Sequence, residues 1–225
     1  MIDLVIVGAG GTASDVLDFI DDINRRHHTY RCVGLLDDNA DANTTVIAGV
    51  RILGPLAMAG ELSRVQFVDA LGGPASFRQR QKLVDALGIS PDRFESIVHP
   101  TACLSRRSSL GQGSIIYPHV TVGANVTLGA HVLILAQSVV NHDCRVGDYT
   151  IITSGVCISG CVDIGESCYL GTGSQIIQGA IIGSRSMIGM GSVVIRNVEE
   201  DSVVAGNPAR TLRSHKWLTG QDRPS

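Results

Sequence analysis

The sequence predicts a two-part protein, a small α/β unit with a parallel sheet followed by a parallel β-helix built from a hexapeptide repeat. Three observations carry this. From Val98 to Val194 every sixth residue is Val, Ile or Leu without exception, a period that fits neither a helix nor an ordinary strand. Two residues before each of these aliphatics, from Ser96 to Ser192, stands only Ser, Ala, Thr, Cys or Val, so that register admits only small side chains. The residue after the aliphatic is Gly at positions 111, 123, 129, 147, 165, 171, 183 and 189, where the backbone can turn at little steric cost.

Three hexads of strand and turn make one triangular coil, so residues 98–198 supply about five and a half coils stacked at the spacing of paired strands, roughly 4.8 Å. The aliphatics then form three columns inside the prism, and no insertion interrupts a hexad. This divides the chain into 1–97, an α/β nucleotide-binding candidate; 98–198, the β-helix; and 199–225, a C-terminal extension.

The N-terminal part reads as alternating strands and helices. An apolar run at 2–7 ends in Gly8-Ala9-Gly10-Gly11. Residues 13–26 then have helical spacing, with Val16, Leu17, Ile20 and Ile23 on one face. A second strand at 32–36 ends in Asp37-Asp38, a third at 66–71 ends in Gly72-Gly73-Pro74, and 75–87 is read as another helix. This alternation is Rossmann-like and implies a parallel sheet with its functional loops at the carboxyl edge. His99-Pro100 marks the start of the repeat. After Val194 the repeat fails, and 204–209 leads into a polar tail expected to be a short helix or loose.

Composition narrows the function. The chain has 225 residues, 44% hydrophobic and only 4% aromatic; that suits a narrow prism filled by Val, Ile and Leu better than a sandwich core. A net charge of −3 without long charged runs speaks against nucleic acid or an anionic membrane as partner. The start lacks a basic region followed by a long apolar stretch, which points to the cytoplasm. The six cysteines show no paired zinc spacing and are read as reduced structural thiols, with Cys144 and Cys168 in small-residue registers.

Two places carry chemistry. Gly8, Gly10 and Ala13 form G-x-G-x-x-A between a strand and a helix, which aims backbone N–H groups and a helix dipole at a phosphate. Asp37 stands where a dinucleotide fold puts its acidic residue. Fewer than 100 residues is half a usual NAD domain, however, which favours a nucleotide or nucleotide-sugar diphosphate; a purely structural turn stays open. In the repeat, Asn141-His142-Asp143-Cys144 replaces the Gly with polar residues. A carboxylate beside an imidazole raises its basicity, as suits a general base. Adjacent strand residues point to opposite faces, so Asp143 can assist only if the backbone turns there. One coil above His142 is Gly160, with no side chain to block a ligand and an N–H able to meet a carbonyl oxygen. His99, His119 and His131 are read as structural or surface histidines, and no histidine spacing supplies a metal site.

At these residues the chain resembles bacterial nucleotide-sugar acetyltransferases of the sialic-acid O-acetyltransferase-like family, including N-acetyltransferases acting on UDP-4-amino-sugars of the bacillosamine pathway and on GDP-perosamine. The resemblance spans almost the whole chain. It rests on residues 8–11, Leu35-Leu36-Asp37-Asp38, Leu71-Gly72, His99-Pro100, Asn141-His142-Asp143-Cys144 with Gly147, and Gly206-Asn207-Pro208-Ala209. It implies a left-handed β-helix, a homotrimer with acetyl-CoA in the groove between neighbouring prisms, and His142 as the base. It further implies Gly10, Gly11, Thr12, Asp37, Asp38 and Gly72 around the sugar nucleotide and Ile151, Gly160, Thr172 and Ile181 on the CoA side. Many members have His where this chain has Thr12, and some where it has Ile151.

The function expected is therefore acetyl transfer from acetyl-CoA, without a metal, to the amino group, at C4, of a nucleotide-linked amino-deoxysugar, with His142 as base and Asp143 orienting it. O-acetylation of a sugar or sialic acid by the same groups is the nearest alternative. An NAD-linked oxidoreductase and a non-catalytic scaffold stand further off.

Overall fold

The computed structural model describes residues 1–39 and 46–212. Contacts divide the chain into two units. One comprises Met1–Leu71, Gln81–Pro100 and Gln112–Ile115; the other comprises Gly72–Arg80, Thr101–Gly111 and the chain from Ile116 onward. The segment Gly72–Arg80 thus packs with the repeat although the sequence sets it among the α/β elements.

In the first unit, strand β1 (Ile2–Val7), helix α1 (Gly11–Arg26) and strand β2 (Tyr30–Leu36) form the expected β-α-β start. Helix α1 buries Ala13, Val16, Leu17, Phe19 and Ile20, and Arg25 and Arg26 in its last turn oppose the negative end of its dipole. A hairpin follows, β3 (Val46–Ile47) and β4 (Val50–Gly54), then β5 (Gln66–Asp69). The sheet order is β3-β4-β2-β1-β5. Strand β1 has parallel neighbours on both sides, so Leu4, Val5, Ile6 and Val7 are fully buried, as an uninterrupted apolar run predicts for a central strand.

Four local expectations need correction. Helix α1 begins at Gly11, not 13, and β2 begins at Tyr30, not 32. The strand read at 66–71 stops at Asp69, whose carboxylate accepts the Leu71 N–H at 3.0 Å and turns the chain out of the sheet. The single helix read at 75–87 is a 3₁₀ turn, Phe77–Gln79, and one short helix, α2 (Arg80–Asp85), because Gly73 accepts the N–H groups of Ser76 and Phe77 in a tight turn first.

In the second unit the repeat forms stacked parallel strands of two residues. One face carries Cys103–Leu104, Thr121–Val122, Val139–Val140, Cys157–Ile158, Gln175–Ile176 and Val193–Val194. The next carries Ser109–Leu110, Thr127–Leu128, Arg145–Val146, Asp163–Ile164 and Ile181–Ile182. The third includes Leu133–Ile134, Ile151–Ile152, Tyr169–Leu170 and Met187–Ile188. Partners differ by 18 residues throughout, so each coil is three hexads. Both periodic registers are buried, the aliphatics from Ile116 to Val194 and the small residues from Ser114 to Ser192. The expectation that Cys144 and Cys168 occupy the small register holds: both are free, buried thiols, and burial pushes the Cys168 thiol up to about 11.

The spacing fails after Val194, as read, but the coil continues. Val203 and Val204 pair in parallel with Met187 and Ile188 at a spacing of 16, and Arg210–Thr211 then turns back antiparallel on Val203–Ala205. Residues 204–212 are therefore not helical, and the rest of the tail, 213–225, lies outside the described residues. Among those described, no helix is long and apolar enough to cross a membrane.

Candidate active site

The polar hexad lies on the turn between the first and second faces. Asp143 has φ +59°, and the residues one coil below and above, Asn125 and Cys161, have φ +60°. This left-handed residue is the turn that the sequence left as a condition. It swings the Asp143 carboxylate back toward its neighbour, and His142 Nδ1 lies 2.8 Å from Asp143 Oδ2. Asn125 Nδ2 donates to the other oxygen, Oδ1, at 2.9 Å. The Asn125 hydrogen bond, followed by that of His142, holds the Asp143 carboxyl below the usual carboxylate range. The imidazole and carboxylate are about half exposed, while the His142 carbonyl is fixed by the Cys161 N–H at 2.9 Å.

A hydrogen bond at Nδ1 to a carboxylate fixes the tautomer in which Nδ1 carries the proton and Nε2 offers a lone pair. That nitrogen lies over Gly160. A Cβ built there would be 2.7 Å from Nε2 and 2.5 Å from Cε1, closer than real side chains approach, so the ring needs a glycine at this place. The Gly160 N–H donates to no described residue, but neither do those of Asp148, Ser154, Glu166 and Thr172 at the same place in other turns. A free N–H is thus a property of the turn; the absent side chain is what sets Gly160 apart.

The other CoA-side residues do not converge with Gly160 on one chain. Ile151 is buried on the third face, where a Cβ on Gly72 would lie 3.1 Å from its Cδ1. Thr172 is exposed on the turn between the third and first faces, its hydroxyl 3.2 Å from that of Thr153. Ile181 is exposed on the second face.

In the first unit, the Ala9 N–H donates to Asp37 Oδ2 at 2.7 Å and the Asn39 N–H to Asp37 Oδ1 at 2.8 Å, so Asp37 braces the glycine loop with one oxygen and its own turn with the other. Asp38 braces the next loop by accepting the Leu56 N–H at 2.8 Å. Gly8 needs its positive φ of 101° and sits against the Ala70 carbonyl. Gly10 caps α1 without a side chain. Nothing stands within 4 Å of where a Cβ on Gly10 or Gly11 would be. The N–H groups of Gly10, Gly11 and half-buried Thr12 bond no described residue, as the first turn of a helix leaves them. Gly72 belongs to the other unit, with φ +128°.

His99 is buried against Phe19, its Nε2 3.1 Å from Asp22, and His131 stacks on Tyr149 at 4.8 Å; both are packing histidines, as read. The sequence reading missed Asn125. The signal was available, because Asn125 precedes Asp143 by one coil of 18 residues, the same arithmetic that singled out Gly160. Cys161 follows Asp143 by one coil, and His142, Asp143 and Cys161 each offer a metal-ligand atom within 4.8 Å of the others.

Two family models match the chain: the PglD N-terminal domain over residues 3–87 and the bacterial transferase hexapeptide (six repeats) over 162–196. Among solved structures, the chain is similar to the acetyltransferase domain of PglB from Neisseria gonorrhoeae FA1090 in complex with acetyl coenzyme A, at 28% identity over 93% of this chain and 98% of that one, TM-score 0.81. It is similar to PerB from Caulobacter crescentus in complex with CoA and GDP-perosamine, at 28% identity over 93% and 97%, TM-score 0.80. It is also similar to WeeI from Acinetobacter baumannii AYE, at 25% identity over 94% and 100%, TM-score 0.79. No curated protein is matched. The stacked coils are thus the left-handed parallel β-helix that the resemblance implied. With these models on its two parts and these folds along more than nine-tenths of its length, the chain is an acyltransferase of the hexapeptide-repeat superfamily carrying a PglD-type N-terminal domain.

Proposed function

We propose that this enzyme transfers the acetyl group of acetyl-CoA to the C4 amino group of a nucleotide-linked amino-deoxysugar, in a single ternary complex. The observation that carries the reading is the hydrogen-bonded series Asn125, Asp143, His142 lying over Gly160. It leaves one imidazole nitrogen with a lone pair, on a half-exposed ring that lies over a residue without a side chain. The similar structures support the choice of ligands, since one was solved with acetyl coenzyme A and another with CoA and GDP-perosamine.

In the proposed reaction the substrate amine attacks the thioester carbonyl while His142 Nε2 takes the amine proton. Asp143 holds Nδ1–H and stabilises the imidazolium that forms. The tetrahedral intermediate collapses, the C–S bond breaks, and the imidazolium returns its proton to the CoA thiolate, which restores the starting tautomer. The Gly160 N–H is the oxyanion donor. Gly10, Gly11 and Thr12, at the positive end of α1, receive the diphosphate through their backbone N–H groups, and Asp37 and Asp38 hold the loops around them. Ile151 and Ile181 stand on different faces and Thr172 on a turn away from Gly160, so the CoA wall draws on more than one chain, which a trimer with composite sites supplies. An NAD-linked reading finds less support, because both oxygens of Asp37 already accept loop N–H groups.

The test is thiol release from acetyl-CoA against UDP-, GDP- and dTDP-linked 3-amino and 4-amino sugars, with the matching hydroxy sugars and free sialic acid alongside. Release with one 4-amino sugar nucleotide is expected. Release only with hydroxyl acceptors makes the enzyme an O-acetyltransferase, and none with any acceptor removes the reading.

A further inference from the structure

We propose that the turn at His142 is also an inhibitory site for a borderline divalent metal such as Zn²⁺, ligated by one ring nitrogen of His142, a carboxylate oxygen of Asp143 and the thiolate of Cys161. The three donors come from consecutive coils on one corner and are all exposed, with ligand atoms within 4.8 Å of one another. Imidazole, carboxylate and thiolate are the three side chains that bind zinc, and three of them with an outward fourth position leave room for water. Carboxylates that ligate metals are themselves held by a hydrogen bond, and Asn125 already holds Asp143 Oδ1 at 2.9 Å. Cys161 is fixed through its backbone, its N–H bonded to the His142 carbonyl at 2.9 Å. Nothing in the proposed acetyl transfer uses its sulfur.

The second thiol nearby cannot replace it. Cys144 is buried, its Sγ donating to the Ser159 carbonyl at 3.1 Å and accepting the Val162 N–H at 3.4 Å. Binding the metal exchanges the Cys161 thiol proton for the metal and releases that proton to solvent, with no redox change. Either ring nitrogen serves the inhibition. A metal on Nε2 takes the lone pair that accepts the substrate proton, and a metal on Nδ1 forces the remaining proton onto Nε2. The metal site rests on side-chain geometry alone; only its inhibitory effect rests on the proposed acetyl transfer.

The experiment titrates Cd²⁺ and Co²⁺ into substrate-free protein and records thiolate-to-metal charge-transfer absorption, then repeats the titration with Cys161→Ser and Asn125→Ala. Wild-type protein is expected to show the band. Cys161→Ser should lose it, and Asn125→Ala should bind more weakly by roughly tenfold or more, as loss of an outer-shell partner does. In parallel, Zn²⁺ should inhibit wild-type thiol release reversibly by chelation and leave Cys161→Ser, active without metal, much less affected. No charge-transfer band in folded wild-type protein, or the same band in Cys161→Ser, overturns the site whatever the enzyme's activity. A band that depends on Cys161 with no inhibition, or activation, overturns the inhibitory role.

Discussion

Adding one methyl group at two glycines of the repeat should have opposite effects. At Gly160 the three atoms nearest the new Cβ all belong to the imidazole of an exposed side chain, and the ring can swing away. Gly160→Ala should therefore keep its urea midpoint, with a stability change within about 0.5 kcal/mol, and lose turnover because the base is displaced. At Gly147 the Cβ meets the Glu166 N at 2.5 Å and the Gly165 carbonyl carbon at 2.6 Å, and backbone of the next coil cannot yield. Gly147→Ala should cost about 1–3 kcal/mol in urea denaturation. Equal stability losses in the two variants would mean that the His142 ring is locked in place. Asn125 offers a separate check. Its hydrogen bond is the first cause of the lowered Asp143 pKa, so Asn125→Ala should move the Asp143 carboxyl titration, followed by NMR, upward toward the usual carboxylate value. The sign follows from linkage: a depressed carboxylate favours the native geometry above its unfolded pKa, and that contribution is lost as pH falls through the folded pKa. An unmoved titration would contradict the role given to Asn125.

At the scale of elements, the coil is stabilised by columns rather than by any single strand, since each hexad buries the aliphatic of its two-residue strand and the small residue just before that strand. Ile176 stacks between Ile158 and Val194 and is almost fully buried; Ile176→Ala should lower stability by about 2–5 kcal/mol, the range for an aliphatic truncation that leaves a cavity. A loss under about 1 kcal/mol would mean that neighbouring coils collapse into the space. The same columns explain why this half of the fold was legible: burial acts on two of every six residues and so writes its period directly into the sequence. The α/β half was legible for β1 and α1, where long apolar patterns dominate. The hairpin β3-β4 was not read. Its strands are short, and its turn places Ala48 at φ +46° and Gly49 at +83°, without the Asn-Gly or Asp-Gly signal that such turns usually carry. The break between Phe77–Gln79 and α2 was missed because propensity does not register the Gly73 turn.

For the whole molecule, the polar corner proposed as the catalytic site stood out because polar residues interrupt an apolar repeat, and Asp143's reach toward His142 depended on a backbone angle that sequence does not print. The residues proposed for the CoA wall come only from the resemblance; on one chain Ile151 and Ile181 lie on different faces and Gly160 and Thr172 on different turns. Three exposed isoleucines, Ile177, Ile181 and Ile195, sit on the second face or the turn leading into it and suit burial by a neighbouring copy. Sedimentation at concentrations used for activity should show a trimer, and an active monomer would contradict the shared wall. The central claim is that the imidazole over Gly160 moves the proton in acetyl transfer. It is tested most directly by measuring steady-state thiol release from acetyl-CoA for wild type and His142→Ala, with circular dichroism and acetyl-CoA binding as controls. The account predicts a fall in kcat of about 10²- to 10⁴-fold, the usual contribution of a general base, with fold and acetyl-CoA affinity retained; near-normal turnover in the folded variant would contradict it.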